Sequence, residues 1–304
     1  MNRYDGYRFK FYGYNAKDSN SITPGWFDGA IDNKNEVIWI SGNDIQTLYS
    51  FNPATEKFTR YTHQSNNINS LIDGELHGIV TDSSGTLWIA TAKGLCSFDP
   101  KTKKFKLYTH QREDRFTISN NNITQIEKDA DGNLWLVMSQ NNIDEVDCFD
   151  PRTGKVIVHT ADGYSFLPRN INHQAVTYQI SAGRNGNLWI SSGQKGLYGY
   201  NIRTKKSVHY VHNANLPYTI SNKEIGQVLE DHSGNLWIRT YENLLDYYDS
   251  TAGKFYHVSS FSNPNNYFVT QIFVDKSGKI WIATQQDGIY IFNTVQKKIS
   301  HCEA

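Results

Sequence analysis

A tryptophan returns at nearly constant intervals along this 304-residue chain, and its surroundings return with it. Trp39, Trp88, Trp135, Trp189, Trp237 and Trp281 lie 49, 47, 54, 48 and 44 residues apart. Three residues before the tryptophan stand Gly85, Gly132, Gly186, Gly234 and Gly278, with Glu36 as the exception. Six before it stand Asp82, Asp129, Asp231 and Asp275, replaced elsewhere by Asn33 and Gly183. Nine before it the residue is always apolar, from Ala30 to Ile272. A period of this length marks a repeat architecture, in which each copy is a small supersecondary unit that needs neighbours to cover its faces.

Each copy reads as four short strands. An apolar run such as ITQIEKD precedes a D-x-x-G turn, where glycine supplies the positive φ of a tight hairpin. A second strand, NLWL or TLWIAT, carries the tryptophan, and a third follows as GLCSFDP or GLYGYN. A turn such as KTKK or RTGK leads to a fourth strand, FKLYTH. Four antiparallel strands in about 45 residues make one blade of a β-propeller, and no segment sustains a helical period. The predicted fold is therefore all-β, a β-propeller with essentially no helix. A tryptophan at the same place on every second strand fills the gap between adjacent sheets, burying on the order of 200 Å² each time. At about 25 cal/mol per Å² each burial contributes a few kcal/mol, so the tryptophans and their turns are read as frame.

Complete repeats cover about 15–64, 65–111, 112–160, 161–212, 213–260 and 261–304 of a single domain, 1–304. The leftover 1–14 is not featureless. In RYDGYRFKFY, Tyr4, Asp5, Phe9 and Tyr12 align with Phe98, Asp99, Phe105 and Tyr108 of the third and fourth strands SFDPKTKKFKLY. The expectation is a seven-bladed type, with six complete four-stranded blades plus an N-terminal outer hairpin of an incomplete blade. Met1 is accordingly read as an internal methionine of a longer product.

Thirty basic and thirty acidic residues leave no net field, which argues against nucleic acid or an anionic membrane as partner. Cys96, Cys148 and Cys302 lack C-x-x-C spacing and read as buried or edge thiols. No apolar run of about 18 residues is long enough to span a bilayer, and residues 1–14 lack the apolar stretch of a signal peptide. Nucleophile-elbow, H-E-x-x-H and P-loop motifs do not occur. Asp131 in DADGN opens like a calcium loop, but the remaining ligand positions do not follow, so neither a metal nor a cofactor is expected. The acidic departures Glu36, Glu145 and Asp147 show no pairing in the sequence.

Departures from the repeat point to binding. The links between a fourth strand and the next first strand carry Trp26, Tyr164, Phe166, Arg169, His173, Tyr178, Tyr218 and Tyr267, the aromatic and planar polar groups of a sugar site. Packing of the links on the rim is the structural alternative. Eleven residues before the tryptophan, His77 and Tyr178 stand where other copies have Asp28, Thr124, Gly226 and Thr270. Two after it, Arg239 stands where others have Ser41, Ala90, Val137, Ser191 and Ala283. That arginine needs an anionic partner, either an acidic sugar or an internal carboxylate such as Glu242.

The series D-x-x-G-N-L-W-I-x-T, G-L-x-x-[FY]-[DN]-P and F-x-x-Y resembles the two-component regulator propeller repeat across nearly the whole chain. The match is strongest around Trp88, Trp237 and Trp281. It is weaker at Trp39 and at the lengthened VMSQNNIDEVD. The resemblance implies a periplasmic sensor region of a hybrid two-component histidine kinase, non-catalytic by itself, with an oligosaccharide ligand. It further implies a second propeller and a β-sandwich in the parent chain, a homodimer, and no contact with nucleic acid or membrane by this segment. A propeller lyase or glycan-active enzyme, and a protein-binding scaffold, are the alternatives.

Overall fold

The structure, a computed structural model, describes residues 2–4, 8–15, 17–18, 21–23, 27–32, 36–42, 46–140, 143–159, 178–192, 195–240, 245–258, 269–285, 287–296 and 298–302. It divides into two compact bodies, Met1–Tyr164 and Ser165–Ala304. Each contains three consecutive four-stranded antiparallel sheets in which chain neighbours pair in order.

In the N-terminal body, sheet 1 is β3 (Phe27–Asp32), β4 (Val37–Gly42), β5 (Thr47–Asn52) and β6 (Lys57–Thr62). Sheet 2 is β7 (Leu76–Thr81), β8 (Leu87–Thr91), β9 (Gly94–Asp99) and β10 (Lys104–Tyr108). Sheet 3 is β11 (Ile123–Lys128), β12 (Leu134–Gln140), β13 (Ile143–Asp150) and β14 (Lys155–His159). A two-stranded hairpin, β1 (Asn2–Tyr4) and β2 (Phe9–Phe11), precedes them. In the C-terminal body, sheet 4 is β15 (Tyr178–Ala182), β16 (Asn187–Ser192), β17 (Leu197–Asn201) and β18 (Ser207–Tyr210). Sheet 5 is β19 (Ile225–Glu230), β20 (Leu236–Thr240), β21 (Leu245–Asp249) and β22 (Lys254–His257). Sheet 6 is β23 (Val269–Val274), β24 (Ile280–Thr284), β25 (Ile289–Asn293) and β26 (Lys298–Cys302). Among the described residues there is no α-helix, and a 3-10 turn, Arg184–Gly186, precedes β16.

The turn aspartate does more than reverse the chain. Asp82 Oδ1 accepts the Ser84 and Thr86 backbone N–H groups, and its Oδ2 accepts the Trp88 indole N–H at 2.9 Å. The same pairing joins Asp129 to Trp135 at 3.0 Å, Asp231 to Trp237 at 3.2 Å and Asp275 to Trp281 at 2.8 Å. One carboxylate thus fixes the hairpin and satisfies the polar atom of the side chain that wedges between sheets. The wedge is visible in the packing. Trp39 packs among Leu71, Leu76 and Ile79 of the second repeat, and Trp88 among Ile118, Ile123 and Ile126 of the third. Trp189 and Trp237 do the same against the fifth and sixth repeats.

Where the aspartate is missing, the repair differs. In sheet 4 the Trp189 indole N–H donates to Glu230 Oε2 at 2.7 Å, a carboxylate of the neighbouring sheet, which also accepts from Asn187 Nδ2. Gly183 makes room, since a Cβ there would lie 2.2 Å from that oxygen. In sheet 1, where the sequence has Asn33 in place of the aspartate, the Trp39 indole nitrogen is buried with no hydrogen-bond partner among the described residues.

A second device closes the fourth strands of sheets 1 and 2. Tyr61 and Tyr108 reach across to Phe98 and Phe149 of the following sheet at centroid distances of 5.1 and 5.2 Å. Tyr12, after the N-terminal hairpin, meets Phe51 at 5.0 Å in the same manner.

Two expectations follow. Gly183→Asp, which restores the repeat, and Glu230→Ala each destabilise the protein, by roughly 1–3 kcal/mol, and the double variant recovers about 1 kcal/mol or more of the summed loss in a urea double-mutant cycle. Burial works against ionisation of Asp275, yet bonds from Trp281, Ser277 and the Lys279 backbone bring its carboxyl down to about 2 from 3.8. A folded value below the unfolded one stabilises above pH 3.8, so this contribution disappears as pH falls toward 2. Asp275→Asn should flatten that part of the acid unfolding curve.

Candidate functional site

The links before sheets 2, 3 and 5 prove to be built objects. His63 Nδ1 bonds the Leu71 carbonyl oxygen at 2.9 Å, and His110 and His212 repeat this with Ile118 and Ile220, each at 2.8 Å. One residue on, the Gln64, Gln111 and Asn213 N–H groups donate to Ser70, Thr117 and Thr219 hydroxyls. The same knot ties Asn15 to Ser21. The apolar residue after each hydroxyl, Ile22, Leu71, Ile118 or Ile220, is buried. These links are clasps whose polar groups are largely consumed internally.

Tyr218 sits in such a clasp at φ 65°, half exposed, with its ring against Tyr256 at 5.7 Å and the Lys254 ammonium 4.6 Å above it. Its carbonyl accepts the Phe255 N–H. Phe116 takes the same place before sheet 3, beneath Lys155, with its carbonyl accepting from Val156. Trp26, Tyr164, Phe166, Arg169, His173, Tyr267 and Glu242 lie outside the described residues, and of Tyr178 only the backbone, at the start of β15, falls within them.

The inner register marked by His77 is a β-bulge. Pairing slips between Leu76 and Gly78, Ile123 and Gln125, Ile225 and Gln227, and Val269 and Gln271, so His77, Thr124, Gly226 and Thr270 are the extra residues. A bulge re-aims the side chain it carries. Thr124 and Thr270 return their hydroxyls to the Val137 and Ala283 carbonyls at 3.2 Å. His77 instead spans to the next sheet, with Nδ1 2.7 Å from the Ile123 carbonyl oxygen and Nε2 3.3 Å from Glu75 Oε2. At Gly226 the side chain is absent and Arg239 takes its space. A Cβ there would lie 2.6 Å from the guanidinium, so the planar group lies across the bulge, half-buried.

Sheets 3 and 5 share a cluster that the sequence left unread. Asp147, fully buried, accepts the Ser119 N–H at 2.7 Å and the Ser119 hydroxyl at 2.8 Å, and lies 2.9 Å from His159 Nδ1. Asp246, also fully buried, accepts the Ser221 N–H at 2.7 Å and lies 2.8 Å from His257 Nδ1. Both serines follow the clasp isoleucine in an I-S-N triplet, and both aspartates hold the same place on the third strand. That recurrence was the available signal. At this place sheets 4 and 6 carry Tyr198 and Tyr290, stacked on His209 and His301 at 3.9 and 4.3 Å.

A nucleophilic serine relay needs hydroxyl and carboxylate on opposite ring nitrogens. Here the Ser119 hydroxyl and Asp147 share Nδ1, while His159 Nε2 faces the Arg115 carbonyl oxygen at 2.5 Å. The cluster pins a link to its sheet. Beside it, Glu145 stands on the lengthened β12–β13 hairpin where other third strands have Gly94 and Gly196, and burial, then Asp147, raises its carboxyl above the usual range. Among the described residues no group of His, Cys, Asp and Glu is arranged to hold a metal, and no helix is long and apolar enough to cross a membrane.

The family model of the two component regulator propeller matches residues 117–140 and 263–286, each covering a first strand, its turn and the tryptophan strand. These two stretches match the two component regulator propeller repeat. Among solved structures it is similar to the extracellular domain of a B. thetaiotaomicron protein assigned as a hybrid two component system, at TM-score 0.71 and 22% identity over 93% of this chain and 35% of that one. A second such extracellular domain from B. thetaiotaomicron matches at TM-score 0.53 and 15% identity, over 99% of this chain and 48% of that one. Catalytically inactive virginiamycin B lyase from Staphylococcus aureus, solved with quinupristin, matches at TM-score 0.64 and 14% identity, over 92% and 84%. Among curated protein sequences nothing matches. The propeller repeats here thus span about a third to a half of the two extracellular domains. What these likenesses establish is the fold: an all-β propeller with six four-stranded blades.

The clusters give a contrast to measure. Among the described residues the Ser221 hydroxyl is buried without a hydrogen bond, whereas the Ser119 hydroxyl has two partners. Ser119→Ala should cost about 1–2 kcal/mol in chemical denaturation, and Ser221→Ala should fall within about 0.5 kcal/mol of the parent.

Proposed function

We propose that this chain is the ligand-recognition propeller of an extracytoplasmic, periplasmic sensor in a hybrid two-component system, non-catalytic by itself, and that its ligand is an oligosaccharide. Its likeness to two extracellular domains of such systems supports the placement. In this reading the N-terminal hairpin is the outer half of a seventh blade. Support comes from the Tyr4–Phe9 backbone pairing, which matches Phe98–Phe105, and from Tyr12 resting on Phe51 as Tyr61 rests on Phe98. The partners are a second propeller and a β-sandwich of the parent chain and a second copy of the sensor. Ligand binding then biases the kinase as a shift between two pre-existing states.

The observation that carries the reading is Arg239. It lies at a register of small residues, across a bulge that Gly226 leaves bare, so a planar cation is held at the inner edge of the sheet. A guanidinium so placed suits the carboxylate of an acidic sugar in a bidentate pair. His77 at the corresponding bulge of sheet 2, and Trp26, Arg169, His173, Tyr178, Tyr218 and Tyr267, complete the proposed binding set.

Calorimetric titration with neutral and uronic-acid oligosaccharides checks this. We expect an acidic oligosaccharide to bind, Arg239→Ala to weaken it about tenfold or more, and Arg239→Lys not to restore it, because lysine lacks the planar fork. Silence across the panel, with the folded state verified by circular dichroism, sinks the proposal.

A further inference from the structure

Sheet 5 departs from its siblings at its outer edge as well as its inner one. The place closed by Tyr61, Tyr108 and Tyr210 in other sheets is held by Val258. Opposite the wedge tryptophan, where Ser50, Ser97 and Gly199 pair with Trp39, Trp88 and Trp189, Tyr247 pairs with Trp237. Large and small residues have exchanged places. The exchange does not refill the same space, and a cavity of about 580 Å³ opens between sheets 5 and 6. That size suits a small organic ligand.

Its walls are aromatic. Trp237 lies 4.9 Å from Tyr247 and 5.0 Å from Phe292 between ring centroids, and Tyr256 stands 6.4 Å beyond Tyr247. Among the described residues its charge is negative, for Asp231 and Asp249 line it with no lysine or arginine, and His257 is paired with Asp246. Burial, then the Asp249 and Asp231 carboxylates, push the Tyr247 hydroxyl above the usual phenol range.

The chemistry of Asp231 selects between ligand classes. Its Oδ1 accepts the Ser233 and Asn235 N–H groups, and its Oδ2 accepts Asn235 Nδ2 and the Trp237 indole. With four donors the carboxylate is saturated, so it has charge to offer and no lone pair for a hydroxyl. A sugar wants the lone pairs. An alkylated ammonium wants the charge and the ring faces.

The geometry points to this cavity as a binding site for a small alkylammonium cation, separate from the bulge register of Arg239 and independent of the sugar-sensing reading. The cation sits against the rings of Tyr247, Tyr256 and Phe292, with the buried Trp237 behind them, while Asp249, whose Oδ1 is engaged by the Thr251 and Ala252 N–H groups, closes the rim.

Choline and its neutral isostere 3,3-dimethylbutanol are the probes, titrated into the ¹⁵N-labelled full chain while the Trp237 indole N–H resonance is followed. We expect a saturable shift with choline and none with the isostere. Asp249→Asn should weaken choline about fivefold or more. Val258→Tyr restores the residue of three sibling sheets and should abolish the shift while leaving the unfolding midpoint equal or higher. Equal binding of choline and the isostere, a Trp237 shift with glucose in place of choline, or no shift with choline in the folded parent overturns the proposal. The comparison of the two probes uses the parent protein, so it holds whether or not either variant folds.

Discussion

The structure depends on one hydrogen bond, from a wedge tryptophan to the aspartate of its own turn. A side chain large enough to fill the gap between two sheets carries a polar N–H into a dry interior, where leaving it unpaired is costly. The aspartate six residues earlier is already held by backbone N–H groups of the turn, so its second oxygen faces the indole at no further ordering cost. Turn, strand register and wedge are thereby fixed together. Sheet 4 keeps the bond without the residue, for Glu230 from the neighbouring sheet takes the place of the missing aspartate, and sheet 1 is the exception, where Trp39 wedges without a partner for its indole among the described residues. Gly183 is its complement, a residue whose only contribution is the space it leaves.

Around this bond the remaining repeat residues divide into those that seal neighbouring sheets and those that tie down the links. The closing tyrosines and the third-strand phenylalanines form edge-to-face contacts between sheets. The clasp histidines and hydroxyls absorb the polar atoms of the links, which would otherwise need water or a ligand. The Ser–Asp–His clusters belong with the clasps. In sheet 3 the serine hydroxyl and the aspartate share one ring nitrogen, which does not suit proton relay from serine to histidine, and the buried aspartates of both clusters suit an anchor. A link that is knotted in this way is a stiff platform, so recognition falls to side chains that the knot does not use.

The frame was legible in the sequence because its elements recur at fixed intervals. Trp88, Asp82 and Gly85 announce their roles by returning in later copies, and Tyr12 could be aligned with Tyr108 from a nine-residue pattern alone. What was hidden lies across sheets or at one-off positions. Glu230 looks like an ordinary strand-end acid until Trp189 is seen beside it. Asp147 seemed unpaired because its partners stand 28 residues before it and 12 after it, on a link and on the next strand. His77 and Arg239 stood out as departures, but that their shared register is a bulge could not be read, because a bulge is a slip in pairing and pairing has no local signature. Tyr218 was singled out for its aromatic character, whereas its backbone, at φ 65° with the carbonyl bound to Phe255, is what places it.

Sheet 5 shows how a repeat protein separates frame from recognition. Its central bond, Asp231 to Trp237, is retained, and its core residues Leu236 and Ile238 are fully buried. Both of its edges have changed by exchanges of volume. At the inner edge a glycine replaces a bulge side chain and an arginine fills the space. At the outer edge a valine replaces the closing tyrosine and a tyrosine appears on the neighbouring strand. Neither exchange leaves the total volume far from that of the sibling sheets, which is why the sheet can carry both without loss of its core packing. Each nevertheless moves charge or aromatic surface to a place where the repeat has none. In an architecture whose stability is a sum over similar neighbours, paired departures of this kind are where new chemistry enters at least cost to folding, because the wedge that holds the sheet to its neighbour is untouched.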